Sequence, residues 1–438
     1  MSMILFSGCS ITLFDSEDIL AIPKPTGYCA EIQTILNNIY GDDVSLVYPN
    51  RGDYCSAVTM MDLNGTGTSQ AVVLYEEGRP RKLHMMLVDN KNGSWVKIND
   101  FVSEATEVDK ICFEDLDNDG VKEVIISYKT AGSLFNKVGV YVFKDNEYKE
   151  ILLRERCSDF VVGDFDNDKQ RELLLLSIKS GTSIASGKLI KINENELIDN
   201  LIGVVQLDSR VTGYSQVLVG RINEYQYGVV IDGNIGPDRM LTEIIYWDEY
   251  NKKLMSPLYN LKADIENFSI RDNNTMSKDI NNDGIIEIPS VLPSPGYWDS
   301  KSGLLCFYTA WNVFDTISNS YDSVENMFIN YIDGYYFKIP DIWIGCVTAK
   351  IEAMTKTLTF SRWVKTGFGT KASGEAILKI QVFSASDWEV LPNKNDFVVL
   401  EVNKDNVYVA NLTMTEGKYA LDRVDVKNRF KLVNYHIP

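Results

Sequence analysis

Four nine-residue segments of this chain share one pattern, and that repeat limits the fold more than any other feature. They are Asp62-Leu-Asn-Gly-Thr-Gly-Thr-Ser-Gln70, Asp115-Leu-Asp-Asn-Asp-Gly-Val-Lys-Glu123, Asp164-Phe-Asp-Asn-Asp-Lys-Gln-Arg-Glu172 and Asp279-Ile-Asn-Asn-Asp-Gly-Ile-Ile-Glu287. Each lies between β-type apolar runs, such as Val124-Ile-Ile-Ser127 after the second and Leu173-Leu-Leu-Leu176 after the third. The last interval is about twice the others, which places a fifth unit near residue 221. There Val219-Gly220 and Gly228-Val-Val-Ile231 keep the strand–loop–strand hydrophobicity without the acids. Self-similarity at this period is the mark of stacked supersecondary units.

Each unit has room for four strands. In the second, Ile111–Glu114 enters the loop and Glu123–Tyr128 leaves it, Val138–Phe143 alternates, and Tyr148–Leu153 returns. Four antiparallel strands in about 50 residues make a propeller blade. A lone blade cannot bury both faces, whereas stacked blades do so and cover their edges. The expected fold is mainly β: a β-propeller of four-stranded blades, with five visible repeats and room for up to seven, plus a small C-terminal α+β domain. The expected organisation is 1–20 leader remnant and tether, 21–50 linker with a short amphipathic helix, 51–325 propeller, and 326–438 C-terminal domain of one sheet and a terminal helix. Ile32, Ile35, Leu36 and Ile39 carry the helical spacing of the linker.

Oxygen-rich side chains at loop positions 1, 3, 5 and 9, with Gly at 6, suit a hard cation. Calcium takes roughly six to eight oxygens at about 2.3–2.6 Å, whereas magnesium's near-octahedral demand fits fewer protein ligands. Asp115, Asp117, Asp119 and Glu123 form the complete set, with Gly120 at the turn. Asp164, Asp166, Asp168 and Glu172 keep four acids but have Lys169 in place of Gly. Asp279, Asn281, Asp283 and Glu287 lose one charge. Asp62, Asn64, Thr66 and Gln70 retain one carboxylate, and the unit near 221 has no site. Acids crowded at alternate positions repel one another unless a cation lies between them, so a structural Ca2+ is expected at the three acidic loops.

The nine-residue core and its repetition resemble the FG-GAP/VCBS-type repeat of integrin α-chain propellers and many bacterial surface proteins, over about residues 52–320. Gln70 departs from the Glu or Asp of that pattern. The N-terminal Ser7-Gly8-Cys9, after a short apolar run, resembles the end of a bacterial lipoprotein signal, although a charged leader is missing. The order of parts, from Cys9 to the Gly334-Tyr-Tyr-Phe337 stretch and Trp343, resembles clostridial VCBS-repeat lipoproteins. The resemblance implies lipidation at Cys9 and an extracytoplasmic, membrane-anchored location, or otherwise secretion.

The remaining signals narrow the function. With 43 Lys+Arg against 61 Asp+Glu, a net charge of −18 opposes nucleic acid as a partner and electrostatic docking on anionic lipid. Two histidines, His84 and His436, lack a nucleophile motif beside them. The seven cysteines are scattered singly; Cys112, Cys157, Cys306 and Cys346 read as small buried hydrophobes. Arg51-Gly-Asp53 spells a short recognition tripeptide that recurs by chance. Aromatic residues such as Tyr297 and Trp298 in a Pro/Gly-rich loop suit stacking on sugars. The expected function is that of a binding or scaffold module for protein or polysaccharide, not an enzyme; the alternative is an envelope-associated hydrolase of polysaccharide or lipid.

Overall fold

The computed structural model describes residues 27–41, 43–91, 93–144, 147–259, 267–296, 307–365 and 371–433. Cys9, the tether 1–20, Tyr297, Trp298, Cys306 and His436 lie outside them. The chain is mainly β, and its described residues form six antiparallel sheets of four or five strands. The second sheet runs Glu107–Glu114, Glu123–Lys129, Asn136–Lys144 and Glu147–Cys157, each strand beside the next in the chain. The third runs Asp159–Gly163, Glu172–Ser177, Ser186–Asn193 and Ile198–Gln206 in the same way, and the fourth runs from Gly213 to Met255.

Burial explains the residue choice in these strands. Central strands, such as Glu123–Lys129 and Glu172–Ser177, are almost wholly buried and rich in consecutive apolar residues. Outermost strands such as Glu147–Cys157 alternate exposed and buried side chains, because only one face is covered.

The described residues divide into two compact units: those up to 155 with 194–198, and 156–193 with those from 199 onward. In the first, an apolar core that includes Val72, Leu74, Ile111, Phe113, Val124 and Ile126 joins the first two sheets. In the second, separate cores join the third sheet to the fourth, the fourth to the fifth, and the fifth to the sixth.

Both ends of the expected domain plan look different in the structure. The helix Tyr28–Tyr40 buries Ile32 and Leu36 against Val58, Val73, Tyr75 and Met86 of the first sheet. Val44–Leu46 then pairs with Gln70–Glu77, so the segment expected as a linker contributes a strand. Tyr40 and Tyr75 both donate to Asp100 Oδ2, at 2.6 and 2.9 Å, beside His84 Nδ1 at 3.1 Å from Asp100 Oδ1.

At the other end, the expected boundary at 325/326 falls inside the strand Ser320–Asn330 of the fifth sheet. That sheet also takes Tyr335–Lys338 and, from the C-terminal end, Phe430–Leu432. The strands Val347–Glu352, Thr357–Lys365, Lys371–Ser384, Val398–Val402 and Asn406–Leu412 make a sixth sheet, and the helix near the C-terminal end is only Arg423–Arg429. Cys157 is fully buried, and burial pushes the Cys112 thiol up to about 12; Cys29, Cys55, Cys112 and Cys346 are free thiols.

Truncating Leu36 to Ala removes a fully buried side chain from the helix–sheet core. The expected cost is about 2–5 kcal/mol, read as a lowered denaturation midpoint. A neutral result would mean that the helix does not pack on the first sheet in solution.

Candidate functional site

The four repeated loops share one backbone scheme. Position 4 is left-handed in each, at Gly65, Asn118, Asn167 and Asn282, with φ from 57 to 64°. Position 6 is left-handed too, at Gly67, Gly120, Lys169 and Gly284, with φ from 77 to 91°. Asn and Gly tolerate this region, whereas a lysine there is strained. At Gly65 the need is also steric: a Cβ would lie 2.6 Å from Gly120 O. That approach lets the first loop abut the second, where Lys122 N–H donates to Leu63 O at 2.6 Å.

The side chains follow the same scheme. The Asp at position 1 accepts from the position-6 N–H at 2.9, 2.9, 3.1 and 2.8 Å in the four loops. The Gln or Glu at position 9 accepts from the position-2 N–H at 2.9, 2.8, 2.9 and 2.9 Å. Gln70, Glu123, Glu172 and Glu287 are all buried. One oxygen of each such pair holds the turn. Several of the others, including Asp62 Oδ1, Asp164 Oδ1 and Glu287 Oε1, are buried without a hydrogen bond.

Three groups result, each offering oxygens within 4.8 Å of one another: Asp115, Asp117 and Asp119; Asp164, Asp166 and Glu172; Asp279, Asp283 and Glu287. Asn281 uses its amide on Asp283 Oδ2 at 2.9 Å. The turn near 221 has a single acid, Glu224, and lacks the repeated pattern; Asn223 Oδ1 accepts from the N–H groups of Tyr225 and Gln226 instead.

Two residues join these loops that the repeat does not announce. Glu194, on a hairpin tip, faces the loop at 115, with its turn fixed by Lys144 Nζ donating to the carbonyls of Glu194 and Asn195 at 3.1 and 2.6 Å. Nothing in the nine-residue pattern points to it. Lys191 enters the loop at 164: its Nζ bonds Asp168 and lies 3.3 Å from Glu172 Oε1 and 3.6 Å from Asp166 Oδ2. Cross-strand register would have found it, since Leu173 pairs with Ile190 and the next step sets Glu172 opposite Lys191.

The charges show the crowding. Burial, with the charges of Glu194, Asp117 and Asp119, pushes Glu123 up to about 9, against the Leu116 N–H. Glu194 rises to about 7 through burial and the three aspartates, with Lys144 opposing. Glu287 rises to about 7 through burial, then Asp283 and Asp279, against the Ile280 N–H. At Asp168, burial acts upward, but the Lys191 bond and charge and the Gln170 N–H hold the carboxyl below its usual range.

Two other features lie apart from these oxygen groups. Arg51 is held by a two-pronged ion pair with Asp109, its Nη2 2.7 Å from Oδ2. A cavity of about 550 Å³ is lined by Tyr225, Tyr227, Trp247, Arg171 and Glu249 beside Asp164. Tyr225 and Tyr227 are 56% and 43% exposed.

No protein-family model and no curated protein matches the chain. Several solved structures are similar to it at low scores. Sqt1 of Saccharomyces cerevisiae is 10% identical, covering 84% of this chain and 100% of that one, at a TM-score of 0.34. A candidate 6-phosphogluconolactonase of Bacteroides fragilis is 11% identical, covering 76% and 94%, at 0.29. A Lactobacillus plantarum protein is 9% identical, covering 70% and 85%, at 0.26. Scores this low assign neither an activity nor a family to this chain. The expectation that the chain is not an enzyme is nonetheless corrected: a protein named for a hydrolase stands among its similar structures, and the exclusion is withdrawn. Among the described residues no helix is long and apolar enough to cross a membrane.

The raised acids predict a pH response in metal-free protein. Glu123, Glu194 and Glu287 hold protons more tightly when folded than at their ordinary value of 4.5. The resulting stabilisation is fully present below that value and is lost as pH rises through about 7 to 9. Denaturant midpoints in chelator should fall between about pH 5 and pH 9, and Glu123→Gln should shrink the fall. Equal slopes in both proteins would refute this account.

Proposed function

We propose that the chain is a calcium-stabilised β-propeller of FG-GAP/VCBS type, serving as a surface binding or scaffold module held at the cell envelope by a lipid on Cys9. The observation that carries the calcium reading is the shared turn scheme. It fixes one oxygen of the first and ninth side chains on backbone N–H groups and gathers oxygens from at least three acids in each acidic loop. Oxygens of Asp115, Asp117 and Asp119 converge on one position, and those of Asp279, Asp283 and Glu287 on another. Calcium accepts such flexible, carboxylate-rich sets. On this reading the sheets of the described residues are the blades, and within each unit apolar cores join successive sheets.

The ligand of the module is a polysaccharide or a protein, and the cavity beside Tyr225 and Tyr227 is its place. Exposed tyrosines offer flat apolar faces for sugar rings, and Arg171 and Glu249 stand beside them for hydroxyl groups.

Two measurements test this reading. Calcium at about a hundredfold above its dissociation constant adds roughly 2.7 kcal/mol per site, so thermal unfolding should move upward with calcium and downward with chelator. Asp115→Ala with Asp117→Ala should remove part of that response, and an unchanged response would end the assignment at that loop. For the cavity, Tyr225→Ala with Tyr227→Ala should abolish retention on an immobilised envelope polysaccharide that retains the unaltered protein. Equal retention of both proteins would place the ligand elsewhere.

A further inference from the structure

We propose that Lys191 supplies the loop 164–172 with a cation of its own, so that this loop takes no metal while the loops at 115 and 279 do. The inference rests on the calcium reading above and refines it. It assigns the choice to one structural position: the residue on the following strand that faces the loop's ninth side chain.

That position can be read in every acidic unit. In the first sheet Gln70 pairs with Asp89, and the Gln70 amide reaches Asp89 Oδ1 at 3.3 Å. In the second, Val124 pairs with Tyr141, so the next step sets Val142 opposite Glu123. In the third the facing residue is Lys191. In the fifth, Ile288 pairs with Asn312, which sets Val313 opposite Glu287. Where the facing residue is valine, it brings no charge to the loop. Where it is lysine, an ammonium lies among the acids.

The chemistry of the ammonium suits the place. Its three N–H groups are donors with no acceptor role, and three carboxylates surround it: Asp166, Asp168 and Glu172. Glu172 is fully buried, and its Oε1 has the Lys191 charge at 3.3 Å in place of a hydrogen-bond donor. A divalent ion at the same point would face the ammonium at close range and compete for the same oxygens. The loop at 115 is the converse case. Asp115, Asp117 and Asp119 converge there with no ammonium among them, and the neighbouring Lys144 turns its Nζ to the backbone carbonyls of Glu194 and Asn195.

The test counts bound calcium by native mass spectrometry and calorimetry on the full chain. The unaltered protein should bind two ions. Lys191→Met, which keeps the length and removes the charge, should bind three, and Lys191→Arg should still bind two. Asp166→Asn should leave the count of the unaltered protein unchanged but cancel the gain in Lys191→Met. Three ions in the unaltered protein, or no gain in a folded Lys191→Met, would overturn the role of Lys191 alone. An unaltered protein that binds no calcium would overturn the reading on which it rests. Should Lys191→Met fail to fold, Asp166→Asn by itself decides, because loss of one ion in that variant contradicts the proposal.

Discussion

A turn that gathers several carboxylates in a partly buried place must contain something positive or keep some of them protonated. Much of this structure reflects that constraint. In the second and third sheets the turn joins the first two strands, so its charge balance bears on the strand pairing and on the cores packed behind it. The first loop avoids the problem by retaining only Asp62 and replacing the buried ninth acid with Gln70, whose oxygen still receives the Leu63 N–H. The second concentrates charge, with Glu123 pushed up to about 9. The third contains Lys191. One backbone scheme therefore supports three electrostatic solutions, because the hydrogen bonds that shape the turn need only one oxygen of each side chain.

The legible part of this fold was the part that repeats locally. The nine-residue loops and their flanking apolar runs marked the strands on either side, and Glu123–Tyr128 and Tyr148–Leu153 lie within the observed Glu123–Lys129 and Glu147–Cys157. The unit without acids near 221 was legible through hydrophobicity alone, and its strands Gly213–Arg221 and Tyr227–Gly236 flank that turn. What local pattern cannot encode is pairing at a distance. Phe430–Leu432 follows a real helix and looks continuous with it, since Val426 and Phe430 share helical spacing. The strand forms because Tyr335–Phe337 offers an open edge nearly a hundred residues earlier. Lys191 and Glu194 belong to the same class: each reaches its loop through strand pairing or a hairpin tip, not through the motif.

The first sheet shows why a segment that reads as a tether can become part of a core. The helix Tyr28–Tyr40 has an amphipathic face too short to be stable alone in water. Ile32 and Leu36 are fully buried because the outer surface of the first sheet is apolar at Val73, Tyr75 and Met86. Tyr40 then adds a directional contact to Asp100, whose carboxylate also receives Tyr75. Burial favours protonation of Asp100, but the bonds from Tyr40, Tyr75 and His84 outweigh it and keep the acid below its usual range. The helix is thus placed by area and oriented by one half-buried anion.

The fourth sheet carries the argument to a unit with no acidic loop at all. Its turn is held by Asn223, which closes the loop with its carbonyl and donates its amide to Phe314 O at 3.1 Å. The charge in this unit is moved into the sheet, where Asp232 and Arg271 pair at 2.8 Å with both side chains 1% exposed. Thr242, Ser277 and the Ser277 N–H complete the carboxylate's bonds. Such a pair costs desolvation and adds little net stability, but breaking it strands a buried charge. It therefore ties the segment around 271–277 to the strands Tyr227–Gly236 and Arg239–Asp248 in one arrangement. In the acidic loops the positive partner is a lysine or, on the proposed reading, a dissolved ion; here it is covalently part of the sheet. The repeat preserves the position of the turn, while the means of neutralising buried anions changes from unit to unit. This explains why a pattern built on acids detects four of the loops and why the fifth had to be found from hydrophobicity.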